Sequence, residues 1–200
     1  ITVAVVILFA LLGMFSDTFF LPGNIVNVIR QTSITIIIGI PITFTLAAGL
    51  LDLSIGSLAC LVSILTAALI TGHSSATLEI CPKLPFGWAL VVGLVVTALF
   101  GYLNGLVITK MMLPPFIVTL AMQEVAKGVV LTFSRGFPVS NLPKIATSLG
   151  RGSVGSIPYS VIIMLILLGV FWVILSKTKF GRHVYAVGGN AECARLSGVN

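Results

Sequence analysis

Charge is what this chain has least of. Asp, Glu, Lys and Arg together make up 8% of its 200 residues, where a soluble domain carries about 25%. An ordinary water-soluble domain is excluded, because its surface needs those groups. Acidic residues are the scarcer sign, five against eleven Lys and Arg, so the formal charge is +6. In so apolar a chain that surplus does not point to nucleic acid; Lys and Arg usually mark the cytoplasmic loops of a membrane protein. The three cysteines, Cys60, Cys81 and Cys193, form no ligand or disulfide pattern, since Cys60 lies in an apolar run and Cys193 in a polar stretch. His73 and His183 stand alone, outside any metal-ligand spacing. There is no Walker A pattern, no Ser/His/Asp arrangement and no CxxC. Neither catalysis nor a cofactor or metal is expected. Apolar/polar alternation is missing too, which argues against a transmembrane β-barrel.

What the chain has instead is long apolar runs: 58% of it is hydrophobic. The expected fold class is all-α, a polytopic transmembrane helical bundle with about six membrane segments. A single transmembrane domain over 1–200 is expected, incomplete at both ends, because Ile1 sits inside an apolar run and no span follows the closing polar stretch. Residues 1–15 read as the remnant of a first span rather than a signal peptide, since no basic region precedes them. Apolar positions at Ile25, Val28 and Ile29 predict a short amphipathic helix at the interface over 20–30. Residues 34–70 would make one helix of about 55 Å, against a hydrocarbon core of about 30 Å. The run must therefore be two segments, and the break belongs at Gly49-Leu50-Leu51-Asp52, with Pro41 able to kink the first. A loop follows over 71–86, then a span over 87–109 and a tight turn at 110–115. An apolar segment covers 116–133, a long polar connection 134–158, and a span 159–176. If the break is a full hairpin, one side holds Arg30, Lys83, Arg135, Lys144 and Arg151, and the other Lys110, Lys177, Lys179, Arg182 and Arg195. The tally is even; only the density of Lys177, Lys179 and Arg182 at a span end favours that side as cytoplasmic.

Polar residues inside the apolar runs are the candidates for function. Asp52, with Ser54 and Ser57, interrupts the longest run. A carboxylate near membrane depth costs about 2.5 kcal/mol or more, so Asp52 either faces a cavity or caps the next helix through the N–H of Ser54 or Ile55. In transporters, broken helices of this kind often line the substrate path. Asn104, between Gly101 and Gly105, bonds across a tight helix crossing or contacts a ligand. Phe116 and Thr119 follow paired prolines, where an aromatic serves packing or sugar stacking. Glu124 and Lys127 share a helical face and can pair. The closing stretch, 185–200, is the one long passage built for water and a partner. Asn190 can N-cap a helix, Glu192 falls in its first turn, Arg195 lies toward its end, and Gly198 is a natural C′ stop. The spacing predicts about two turns over 191–197, with Ala191, Ala194 and Ser197 sharing a smooth face. Such a helix either docks in another protein's groove or is an ordinary loop helix.

Three stretches then carry a family resemblance. Residues 48–57, AGLLDLSIGS, resemble the "GG-x-DLS-x-GS" segment of ribose/xylose-type sugar permeases of ATP-binding cassette importers. Residues 115–120, PFIVTL, match another segment of that family, and 180–198, FGRHVYAVGGNAECARLSG, resemble its "G-R-x-x-Y-A-x-G-G-N-x-x-A-A-R-x-S-G" loop. Departures are Leu50 and Ala121 where Gly is usual, Glu124 for a small residue, Lys127 for Arg, Arg135 in a Gly-Gly pair and Cys193 for Ala; they bear on the substrate rather than on membership. The resemblance implies a pore-forming permease subunit of the plasma (inner) membrane, paired as a homo- or heterodimer. It implies two ATPase subunits on the cytoplasmic side and an extracytoplasmic sugar-binding protein on the other. ATP would be hydrolysed by the partner. A cytoplasmic coupling loop would cover 177–200, with Gly188, Gly189, Asn190, Glu192, Ala194, Arg195 and Gly198 as its contact residues. Asp52, Ser54, Ser57, Asn104, Phe116 and Thr119 would lie along the path of a monosaccharide. Alternatives are a permease of the same kind for another solute (an autoinducer, nucleoside or branched-chain amino acid) and a stand-alone secondary transporter coupling ions through Glu124, Lys127 or Asp52. A membrane enzyme is disfavoured for want of catalytic groups.

Overall fold

A computed structural model of the chain describes residues 2–72 and 82–199. It is a helical membrane bundle: α1 Thr2–Phe15, α2 Pro22–Ala47, α3 Ile55–Thr71, α4 Phe86–Met111, α5 Pro115–Ser134, α6 Lys144–Arg151, the two-residue strands β1 Ser153–Val154 and β2 Ile157–Pro158, then α7 Tyr159–Lys177, α8 Lys179–Gly189 and α9 Ala191–Leu196. Four helices, α2, α4, α5 and α7, are long and apolar enough to cross a bilayer. α1 (14 residues) and α3 (17 residues) are also apolar but shorter, so four of the about six expected membrane segments have the length and composition of a span among the described residues. The predicted loop over 71–86 is only partly seen, and His73, Glu79 and Cys81 lie outside the described residues, as does Asn200.

The break in the long apolar run falls where expected. α2 ends at Ala47; Gly49 takes φ +74°. Its N–H donates to Leu46 O (3.0 Å) and that of Leu50 to Thr45 O (2.9 Å). These are the two bonds of a Schellman stop, which needs a left-handed residue after the last turn. The beginning of α2 departs from expectation. The predicted interface helix over 20–30 is not separate: Pro22 occupies the first turn and the helix runs unbroken to Ala47, because neither Pro nor Gly lies between Asn24 and Ile38. Pro41 sits inside it.

Two groups of helices pack within the chain. In the first, α3 lies between α4 and α5. Leu58, Leu61 and Leu65, on one helical face, bury against Ala126, with Val96, Phe100, Val129, Val130 and Phe133 around them. α4 runs antiparallel to α3: Asn104 meets Ser54 at one end, and Gly93 lies beside Val62 and Thr66 further along. α5 runs parallel to α3, since Thr119 meets Leu53 near the start of both. In the second group α2 packs on α7 and α8. Ser33 donates to Ser160 (2.8 Å) and Phe44 sits edge-on to Phe171 (5.6 Å), an offset of 127 residues in both cases. That constant offset means the two helices run parallel and in register. Phe180 of α8 also stacks on Phe44 (6.2 Å). Lipid is as apolar as leucine, so these helices are held by close packing and hydrogen bonds rather than by hydrophobic burial. Their outer faces accordingly present Trp88, Val91, Leu94, Leu99 and Leu165, all exposed.

These directions fix the sidedness. The break at 48–54, the turn at 112–114 and α8–α9 lie on one face; residues 16–21, 82–85 and 135–158 lie on the opposite one. The latter connection is more structured than a polar loop. It holds α6 and a β-hairpin with Val154 paired to Ile157, and Arg30 reaches across to donate to Arg151 O (3.2 Å).

Candidate functional site

The turn after α2 exposes backbone groups that α3, α4 and α5 must satisfy, and five of the six residues singled out for a substrate path do this together. Asp52 Oδ1 accepts from the Ser54 N–H (2.8 Å) and from Ser54 Oγ (2.7 Å). Ser54, fully buried, also accepts from Asn104 Nδ2 (3.0 Å). Ser57 Oγ donates to Ser54 O (2.8 Å), closing the first turn of α3. From α5, Thr119 Oγ1 accepts from the Leu53 N–H and donates to Leu51 O, both at 3.3 Å. The result is a polar clasp that ties the break to α4 and α5. Asp52 satisfies local backbone, one of the two roles open to it from the sequence. Asn104 Oδ1 is left buried with no partner among the described residues. Phe116 stands apart: it is half exposed on the first turn of α5, and only its carbonyl meets Thr119 Oγ1 (3.4 Å).

The depth of the clasp follows from the register of α2 and α7. An offset of 127 residues puts Lys177, the last residue of α7, level with residue 50. The break therefore lies where α7 leaves the apolar layer, not mid-membrane, and Lys177 sits over the Trp172 ring there (5.9 Å). Asp52 near a span end costs less than at membrane depth. Glu124 and Lys127 form an ion pair at 2.8 Å on α5, both well exposed on the surface of this chain.

The closing stretch is two helices, not one. The polar lead-in from Lys177 forms α8, which the glycines at 181, 188 and 189 hide in the sequence. The signal that finds it is Thr178, whose side chain accepts from the Gly181 N–H (3.3 Å) as an N-cap. Gly181 is buried against the Leu175 carbonyl, so a larger residue would not fit. Gly188 and Gly189 thus belong to the last turn of α8. α9 forms as predicted. Asn190 Oδ1 accepts from the Cys193 N–H (2.9 Å), Glu192 pairs with Arg195 (3.2 Å), and Gly198 takes φ +84°. The Val199 N–H reaches Ala194 O and the Gly198 N–H reaches Arg195 O, both at 3.0 Å, a second Schellman stop. The smooth face is not presented whole: Ala194 is buried, while Ala191 and Ser197 are exposed. What α9 offers outward is Glu192, Arg195 and Leu196, the last 78% exposed and missed in the sequence.

The α8–α9 pair touches the break itself. A methyl group added at Gly188 would run into the Ala47 carbonyl oxygen and lie 3.2 Å from the Ala48 carbonyl carbon. One added at Gly49 would lie 3.6 Å from Gly188 Cα and O. Here backbone meets backbone with no side chain between. The candidate site is therefore continuous, from the outward face of α9 through α8 to the break and its clasp. Among the described residues no three His, Cys, Asp or Glu gather as they would to hold a metal. What the arrangement offers is one carboxylate, Asp52, among neutral hydrogen-bonding groups, and a close backbone contact beside them.

A family model described as "Branched-chain amino acid transport system / permease component" matches residues 24–200. The chain is 33% identical to the ribose import permease protein of Haemophilus influenzae, over 99% of this chain and 59% of that protein. It is 33% identical to the fructose import permease protein of Rhizobium meliloti, over 91% of this chain and 50% of the other. It is 34% identical to the L-arabinose ABC transporter permease protein of Azospirillum brasilense, over 100% of this chain and 56% of the other. The chain thus spans between half and three-fifths of the length of these relatives. No solved structure matches it.

Proposed function

The chain belongs to the branched-chain amino acid transport system / permease component family, and from that premise we propose that it is part of the permease subunit of an ATP-binding cassette importer that carries a monosaccharide across the plasma (inner) membrane. The observation that carries the reading is the capped α8–α9 pair at the end of α7, on the same face as the break. A stand-alone carrier has no need of a rigid polar helix pair abutting a broken span. An importer driven by a separate ATPase needs such a contact. In this reading Glu192, Arg195 and Leu196 meet the ATPase, Asn190, Ala194 and Gly198 hold their shape, and Gly188 and Gly189 set the helix pair against the membrane domain. The face bearing α6 and the hairpin receives the extracytoplasmic sugar-binding protein. A second permease subunit completes the pore, and ATP is hydrolysed in the partner.

The sugar assignment is supported by the relatives, which are permease proteins for ribose, fructose, D-allose and L-arabinose. The residues of the clasp are neutral save Asp52, a chemistry suited to an uncharged polyol. D-ribose is the first substrate to test, since ribose import permeases 33% and 35% identical to this chain are among its relatives. The test is affinity purification of the full-length subunit from native membranes, together with uptake of radiolabelled D-ribose. An ATPase should co-purify and uptake should stop on ATP depletion. Absence of any ATPase, with uptake that survives ATP depletion but collapses with an uncoupler, would establish a secondary transporter instead.

A further inference from the structure

We infer that the contact between Gly188 and the turn at residues 47–49 is a mechanical relay, which passes movement of the α8–α9 pair into the break and opens or closes the clasp around Ser54. The inference rests on the importer reading and deepens it by naming the path from the ATPase contact to the membrane domain.

Three observations carry it. The first is the absence of compliance at the contact. Gly188 lies so close to the Ala47 carbonyl that any side chain would collide with it, so displacement of α8 is not absorbed by rotamers. The second is what holds each side. Phe180 stacks on Phe44, and Thr178 caps α8 at the end of α7, so α8 moves with α2 and α7 as one packed group. On the other side, Leu51 and Leu53 are held by Thr119, and Ser54 by Asp52 and Asn104, so the far end of the break moves with α3, α4 and α5. The third is the hinge between them. Gly49, at φ +74°, adjoins Gly188 and is followed by five residues outside any helix; hinges are a few such element-terminal residues that absorb backbone rotation. The break is therefore where two packed groups meet, and Gly188 locks α8 to the first of them right at the pivot. Asn104 Oδ1, buried and without a partner among the described residues, is an acceptor that a second arrangement of the clasp can satisfy. Gly188 is thus a positioning residue; it touches the hinge and not the solute.

The experiment uses the full-length subunit with its ATPase in native membranes, with Cys60, Cys81 and Cys193 replaced by Ala and Leu51→Cys introduced. Leu51 is 54% exposed in the break, so its labelling rate by a maleimide reports the state of the hinge. Trapping the ATPase with ATP and orthovanadate is expected to change that rate several-fold, since a ligand that favours one state shifts the population of the other. Gly188→Ala is expected to abolish the change while the ATPase still co-purifies at parental level, which a purely structural role would not produce. If Gly188→Ala is depleted from the membrane, Phe180→Ala, which loosens α8 from Phe44, serves in its place and should shrink the change. A parental nucleotide response in both variants overturns the relay and leaves the importer reading intact, as does an unresponsive parent with the ATPase bound. Failure of any ATPase to co-purify removes the importer reading and the relay with it.

Discussion

Asp52 illustrates how a single carboxylate is accommodated in a chain this apolar. Its Oδ1 takes two donors from Ser54 (2.8 and 2.7 Å), and it stands level with the end of α7. Both circumstances reduce the penalty of a charge in a membrane domain. What the site uses is the acceptor, since Ser54 N–H would otherwise be a free donor at the start of α3. Asp52→Asn keeps an acceptor of the same shape, whereas Asp52→Ala removes it. The expected cost of Asp52→Ala is about 0.5–2 kcal/mol, the range for losing a side-chain acceptor of a backbone N–H at a helix start, and that of Asp52→Asn is a fraction of it. Thermal unfolding of the purified subunit in detergent measures both, and equal losses for Asn and Ala would show that charge rather than geometry matters. Thr119 is argued in the same way. It supplies one acceptor to Leu53 N–H and one donor to Leu51 O. Thr119→Val strands both groups and should cost about 1–3 kcal/mol, while Thr119→Ser should be close to neutral by the same measurement.

At the scale of elements, helix ends decide this structure. α9 has only six residues, too short to persist on propensity alone, so its caps hold it. Asn190→Ala should cost about 1 kcal/mol of local stability. Gly198→Val, which forces a β-branched residue to φ +84°, should cost at least about 1 kcal/mol. Hydrogen exchange at the amides of Cys193, Gly198 and Val199 reads these losses directly; unchanged protection in both variants would mean that packing alone holds the helix. The same end-chemistry explains what the sequence disclosed. The break at Gly49 and the helix after Asn190 were legible because glycine stops and Asn caps are local and strong. The interface helix over 20–30 is not separate because neither Pro nor Gly follows Asn24 before Gly39, so periodicity marked a face but no boundary. α8 was missed because three glycines argue against a helix, and only its tertiary seat against Leu175 and Ala47 makes small residues an asset. In the same way Asp52, Ser54 and Asn104 were each legible as polar anomalies. Their union in one clasp was not, since it depends on the antiparallel register of α3 and α4.

At the scale of the whole molecule, charge counting left the orientation undecided, while packing direction separates the two faces. The parallel pairing of α2 with α7, and of α5 with α3, requires that the turn after α4 share a face with α8–α9, and that the connection from α5 to α7 lie opposite. Orientation then reduces to one choice, which the importer reading makes by placing α8–α9 against a cytoplasmic ATPase. Lys177, Lys179 and Arg182 gather on that same face, as cytoplasmic ends do. Two positions test it in a cysteine-free chain. Met112→Cys lies in the turn after α4, where the native residue is 87% exposed. Ser140→Cys lies in the opposite connection and is also exposed. A membrane-impermeant maleimide added to intact cells should label Ser140→Cys at once and Met112→Cys only after permeabilisation. The reverse pattern would invert the molecule and place α8–α9 beyond the reach of any cytoplasmic ATPase. Labelling of both from outside would instead mean that α5 does not cross the bilayer. That outcome would break the parallel pairing of α3 with α5 on which the clasp depends.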